Sequence, residues 1–202
     1  LKVITPPFPS DAKGMIISAI EDNNPVIVIE HRWCHYIKGL VPNKYYKSQI
    51  REPKKIQNGK DVTIVANSLN VIECLFVSKI LKKYNISIDL FDLRVCRPLE
   101  LSKIKSSVKK TGKLVTIDLG SKILGIGSEI VSEITTSCFN YLTKPPIRIG
   151  MPDYPTPSSR GYLKNHYPDK RKIINELSKF FPVIKKNYKS IIKKINKESK
   201  KL

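Results

Sequence analysis

Cysteine is scarce in this chain of 202 residues, and its four copies are scattered. Cys34, Cys74, Cys96 and Cys138 form no C-x-x-C pair, and their wide spacing favours structural thiols over disulfides or metal ligands. Three of them fall in strand or helix patterns, where a thiol behaves as a small hydrophobe, so we read all four as structural thiols of a reducing compartment. Histidine occurs only as His31, His35 and His166, and the His31/His35 pair makes no metal site unaided. No apolar run approaches the ~18 residues that a membrane helix needs. The longest, Val71–Leu81, is broken by Glu73, Ser78 and Lys79, so no membrane partner is expected.

Arginine is the next shortage. The net charge is +20, from 37 basic against 17 acidic residues, yet only 7 of the 37 are Arg. Arg is the side chain suited to bidentate phosphate and guanine contacts, and here the positive charge is almost all Lys spread along the chain. We therefore do not expect nucleic acid as the main partner. The one local extreme is the tail from Val183 to Leu202, with 8 Lys against 1 Glu. It reads as a solvated basic extension, or as an amphipathic helix with a thin stripe of Ile184, Ile191, Ile192 and Ile195. A complete glycine-rich phosphate loop is missing too. Gly125 and Gly127 stand between a strand and a helix, but the third glycine of a dinucleotide fingerprint is replaced by Ile130. Close packing of helix on sheet suffices to explain the pair. Nor does the chain open on Met. Leu1 heads LKVITPPFP, which reads as mid-domain, and we expect a piece of a longer polypeptide.

What is present is organised around Val62–Asp118, which reads as strand, helix, strand, helix, strand. Val62–Ala66 and Leu114–Ile117 are short β-branched runs of the kind buried on both sheet faces. Ser68 is placed to cap the first helix, and Gly112 stands where a helix end wants positive φ. Alternating strands and helices imply parallel pairing and right-handed crossovers. Upstream, Ser10 is a candidate N-cap for a helix carrying Met15, Ile16, Ala19 and Ile20 on one face, with Asp11 in its first turn. Asp22-Asn23-Asn24-Pro25 ends it, and Val26–Glu30 is a strand. Residues 31–60 lack a period and read as a linker whose Trp33, Tyr36 and Tyr45 pack on a neighbour. Downstream come a strand at Pro145–Ile149, a rigid loop MPDYPTPSSRGY, and a helix at Asp169–Phe181.

Five landmarks in order now point to a family. PSDAKGMIISAIEDNNPVIVIEH resembles the end of the pyrimidine-binding domain in β subunits of thiamine-diphosphate-dependent 2-oxoacid dehydrogenases. DLRVCRPLE, VKKTGKLVTID, GIGSEIVSEI and PDYPTPSS are similar to landmarks of the transketolase C-terminal domain in those subunits. IKGLVP is closer to β-type subunits encoded beside sugar-modification genes. The resemblance covers about residues 1–180.

The resemblance implies an α/β fold: a three-layer α/β/α sandwich with a mostly parallel five-stranded sheet and one antiparallel edge strand. It divides the chain into the truncated end of a pyrimidine-binding domain (1–30), a linker (31–60), a transketolase C-terminal domain (61–182) and the lysine-rich tail (183–202). It implies thiamine diphosphate and Mg²⁺ as cofactors of the full enzyme, bound by groups upstream of this chain. None of the three histidines matches a catalytic position, so no catalytic or cofactor-binding residue is assigned. One site carries over: Ala19, Ile20, Asp22 and Asn24 match the turn that holds a structural K⁺ in related β subunits. A plain helix C-cap, with Asp22 and Asn24 bonding their own backbone, is the competing reading.

Expected partners are a second copy through the C-terminal domain, an α subunit with the diphosphate-binding domain, and a dihydrolipoyl acyltransferase. The dimer expectation rests also on Cys74, Val77 and Leu81, which lie off the main apolar stripe of helix 68–84 and need cover. The location implied is cytoplasmic, or an organelle matrix in a eukaryote. Two rivals stand: a transketolase or deoxyxylulose-phosphate-synthase type carbon-transfer enzyme, and a non-catalytic dimerisation module.

Overall fold

A computed structural model describes residues 1–159 and 161–198. In chain order the elements are β1 (Lys2–Ile4), α1 (Pro9–Ile20), β2 (Val26–Val28), β3 (Lys54–Gln57), β4 (Val62–Ala66), α2 (Leu69–Leu81), β5 (Ile88–Asp92) and β6 (Val95–Arg97). They continue with α3 (Ser102–Thr111), β7 (Leu114–Ser121), α4 (Ile126–Cys138), β8 (Ile147–Met151), α5 (Lys170–Leu177), α6 (Pro182–Lys186) and α7 (Tyr188–Glu198).

The main sheet has five strands in the order β3-β5-β4-β7-β8. The last four run parallel, and β3 is antiparallel to β5 at the edge. Its centre is apolar on both faces because helices cover both, which is why every residue of VTIVA in β4 is buried. On one face α2, α5, α6 and α7 close a core of Val71, Val77, Leu81, Ile173, Leu177 and their neighbours. On the other, α3 and α4 close a second core around Phe91, Ile104, Val108, Ile130 and Ile134. This is the three-layer sandwich with one antiparallel edge expected above. The edge strand, however, comes from the stretch taken as linker.

Local signals are kept in part. Gly112 ends α3 at φ +66°, and its N–H closes on the Val108 carbonyl at 2.8 Å. Gly127 lets α4 lie on β7, since a Cβ there would sit 2.8 Å from the Thr116 hydroxyl. Asp169 caps α5 by accepting the Lys172 N–H at 2.8 Å. Ser10 does not cap α1. That helix begins two residues earlier than such a cap requires, with Pro9 at its first position and Phe8 as the N-cap.

A smaller sheet of three strands, β2-β1-β6, stands at the other end. β1 and β2 are parallel and joined through α1, and β6 pairs antiparallel to β1. Its core is small: Ile4, Met15, Ile50 and Val95, with Ala19, Val26 and Val28 beside them. β6 lies at 95–97, inside the stretch assigned to the C-terminal domain, yet it completes the N-terminal sheet. Trp33, Tyr36 and Tyr45 do not pack into the chain; they are exposed, Tyr36 to 76%.

The tail is not a solvated extension. Through residue 198 it forms α6 and α7, and Ile184, Ile191 and Ile195 are buried in the core under α2. The apolar surplus of α2 is therefore covered by the chain itself, and Cys74, Val77 and Leu81 are buried. The last lysines, Lys200 and Lys201, lie outside the described residues, as does Arg160 of the proline-rich loop.

Replacing Ile191 by Ala should thus cost about 2–4 kcal/mol of unfolding free energy, the usual loss for a buried Ile. Lys193→Ala on the exposed side of α7 should stay within about 0.5 kcal/mol. Urea unfolding of the two variants checks the contrast, and equal, small effects would return the tail to the solvent.

Candidate functional site

The turn after α1 gathers the residues expected to hold a cation. Its helix ends on Ile20, the Glu21 N–H closes on the Ile17 carbonyl, and the Asp22 N–H reaches the Ala19 carbonyl at 3.4 Å. One carboxylate oxygen of Asp22 accepts the Asn24 N–H at 2.9 Å and the Asn24 amide at 3.1 Å. The other is held by the Lys2 ammonium from β1. The Lys2 bond first, then those from Asn24, hold the Asp22 carboxyl down at about 2. Ala19, Ile20, Asp22 and Asn24 do stand together, but the carboxylate is already neutralised within the chain. What remains for an ion is a set of main-chain carbonyl oxygens at a helix C-terminus. Each carbonyl keeps a lone pair beyond one hydrogen bond, so the donors fit a hard cation such as K⁺. The Asx-type bonds of the cap reading are present as well.

A second cluster joins the two sheets. Asp11 projects from α1, Asp92 ends β5, and Arg94 follows two residues later; all three are buried. The Arg94 Nε donates to Asp92 at 2.9 Å while its guanidinium also meets Asp11. The Lys54 ammonium from β3 approaches the Asp11 carboxylate at 3.5 Å. Backbone bonds fix the same crossing: the Leu93 N–H donates to the Ala66 carbonyl at 2.7 Å, and the Thr5 N–H to the Arg94 carbonyl at 2.8 Å. Burial pushes the Asp92 carboxyl up, to about 7, against the pull of Arg94. Sequence reasoning noted DLRVCRPLE only as a landmark. The charge alternation D-x-R inside an apolar run was the available signal for a buried pair.

The sheet also has a topological switch point between β4 and β7, where α/β proteins bind ligands at the carboxyl ends of their strands. Here Asp118 stands at that crevice and is bonded within the chain. The Asn67 amide donates to Asp118 at 3.1 Å, and the Gly120 N–H bonds the same oxygen at 3.0 Å. Ser68 stands at the N-cap position of α2 with φ at 47°, and its side chain makes no capping bond. A positive φ turns the hydroxyl away from the first turn and toward Cys34, whose sulfur lies 3.8 Å off. Burial pushes the Cys34 thiol up and the His31 ring down.

The histidines do not converge. His31 Nδ1 accepts the Trp33 N–H at 3.2 Å, His35 lies 3.4 Å from Glu30, and buried His166 bonds Thr156 through Nε2 at 3.0 Å. Among the described residues no three of His, Cys, Asp and Glu group as a metal site. No catalytic residue is assigned from these groups.

The family described as transketolase, C-terminal domain, matches residues 52–173. The chain belongs to that family. It is 36% identical over 184 residues to the β subunit of the mitochondrial pyruvate dehydrogenase E1 component of Bos taurus, covering 89% of this chain and 51% of that protein. Against the β subunit of the Bacillus subtilis (strain 168) pyruvate dehydrogenase E1 component it is 34% identical over 170 residues, covering 82% and 52%. The chain thus spans about half the length of these relatives. Among solved structures, a split gene transketolase described as an inactive beta4 tetramer superposes at TM-score 0.71 and 22% identity, covering 90% of this chain and 58% of that one. That likeness supports the transketolase-like fold. The family match begins at residue 52 and so takes in β3.

The buried charges set a pH dependence. Asp92 holds its proton up to about 7 when folded but only to about 3.9 when unfolded, so the folded chain binds more protons between those values. Stability should fall as pH rises from about 4 to about 7 and level off above. Denaturant midpoints of wild type and Asp92→Asn across that window measure this component, which should be absent from the variant; parallel curves would refute it.

Proposed function

We propose that this chain is the C-terminal part of the β subunit of a thiamine-diphosphate-dependent 2-oxoacid dehydrogenase. The observation that carries the reading is its identity to pyruvate dehydrogenase β subunits along almost its whole length. On this reading residues 1–30 end a pyrimidine-binding domain, 31–60 cross to the C-terminal domain, and that domain supports assembly. On this reading thiamine diphosphate and Mg²⁺ would be held by the rest of the enzyme, where the cofactor would supply an electron sink for decarboxylation. An α subunit and a dihydrolipoyl acyltransferase are the partners proposed, in the cytoplasm or an organelle matrix. No described helix is long and apolar enough to cross a membrane. The carbon-transfer rival draws only on a structural likeness of fold, and the non-catalytic rival on the lack of assignable catalytic groups here.

The proposed homodimer needs a different surface from α2, which α5–α7 cover. Exposed Leu124, Phe139 and Tyr141 at the two ends of α4 offer it. Sedimentation of the chain at micromolar concentration tests this, and a strictly monomeric species would remove the proposal.

The functional reading is tested by a chimera in which this chain replaces the matching half of the Bacillus subtilis β subunit, assembled with its α subunit. Assembly and decarboxylation of pyruvate are expected. A chimera that folds and assembles but does not turn over would count against it. The chain alone should give no heat on calorimetric titration with thiamine diphosphate and Mg²⁺, and micromolar binding would be equally damaging.

We propose K⁺ at the carbonyls of Ala19, Ile20, Asp22 and Asn24, with the Asp22 side chain shaping the turn. K⁺ should then raise the melting temperature more than Na⁺ at equal ionic strength, and Asp22→Ala should abolish the difference. Equal shifts in wild type would leave only the helix cap.

A further inference from the structure

Several acids of this chain are already paired with lysines. Asp89 is shared by Lys55 and Lys110, Glu73 pairs with Lys170, and Glu176 with Lys179. Between the loop leading into β4, the second half of α2 and the turn entering β5 lies an open groove of about 760 Å³. Lys60, Lys79 and Lys82 line it, and all three are exposed. Among the described residues none of them has an ion-pair partner, and no carboxylate lines the groove. Asp61, next to Lys60 in sequence, accepts the Ser87 N–H at 2.7 Å with its carboxylate.

The positive field continues past the rim. Tyr84 carries the Lys194 ammonium of α7 at 3.0 Å from its hydroxyl, and Lys194, with Lys83 adding from nearby, holds that phenol below its ordinary range. The tail, beyond the residues matched by the family, therefore adds charge to this edge.

The lining decides what kind of anion fits. Leu75 and Ile86 give an apolar floor, and Asn58 and Asn85 add amide groups to the lining. No Arg and no aromatic ring lines the groove, so it offers neither bidentate phosphate forks nor a surface for stacking bases. We infer that this groove docks an acidic segment of a protein partner, with carboxylates on Lys60, Lys79 and Lys82 and an aliphatic side chain on the Leu75–Ile86 floor. The inference goes beyond the oxoacid dehydrogenase reading and does not depend on it.

A short fluorescent peptide alternating Glu and Leu is the probe, titrated into the full chain at physiological salt and followed by anisotropy. Lys79→Glu with Lys82→Glu should weaken binding at least about tenfold, since reversing rim charges adds repulsion to the loss of attraction. Lys38→Glu with Lys144→Glu makes the same change in net charge elsewhere on the surface and should leave affinity within about twofold. The neutral pair Lys79→Gln with Lys82→Gln should give an intermediate loss and guards against a folding defect in the Glu variant. Equal losses in the two Glu variants, or no peptide binding to wild type, would overturn the inference. So would tighter, groove-dependent binding of a single-stranded oligonucleotide of equal charge.

Discussion

Arg94 holds two carboxylates out of water at once, one from each end of the molecule. Asp92 belongs to the five-stranded sheet and Asp11 to the helix of the smaller one. Removing any member of such a cluster leaves a buried charge without its partner, a far larger loss than the net value of the intact cluster. The geometry fixes more than stability. Immediately after Arg94 the chain leaves the main sheet and becomes β6 of the other, so the guanidinium sets where the backbone crosses. The three-residue strands of the small sheet, with a core of only a few side chains, depend on that anchor.

The main sheet was legible from sequence because its signals are local and redundant. β-branched runs, a glycine helix stop and alternating periods gave β4, α2, β7 and the class of fold. The signals that misled were single and local, and tertiary context outweighed them. Ser68 has the right residue type for a cap, but the tight turn from β4 imposes a positive φ that takes its hydroxyl out of reach. Ser10 lost the cap position to the Pro9 start. β3 and β6 could not be read, because they are short and exist only through partners distant in sequence. The cation turn was legible as a group of residues. That its carboxylate would be spent on Lys2, a residue twenty positions earlier, was not.

The tail makes the same point in the opposite sense. Its composition argued for solvent, and eight lysines in its twenty residues hide a regular spacing of isoleucines. In a helix the two sets separate by face, so a segment can be strongly basic and still close a core. The lysine stems and the Ile stripe answer to different environments on one cylinder. Charge counted along the sequence averages over both.

The order of strands has a consequence for synthesis. β1 is the middle strand of its sheet, and one of its edges stays open until residues 95–97 have been made. The core beneath α2 in turn waits for α7, the last helix described. Each part of the fold therefore closes only when a segment distant in sequence arrives, and until then an unpaired strand edge or an uncovered apolar face is exposed. Long-range closure of this kind slows folding and lengthens exposure to aggregation or chaperone capture.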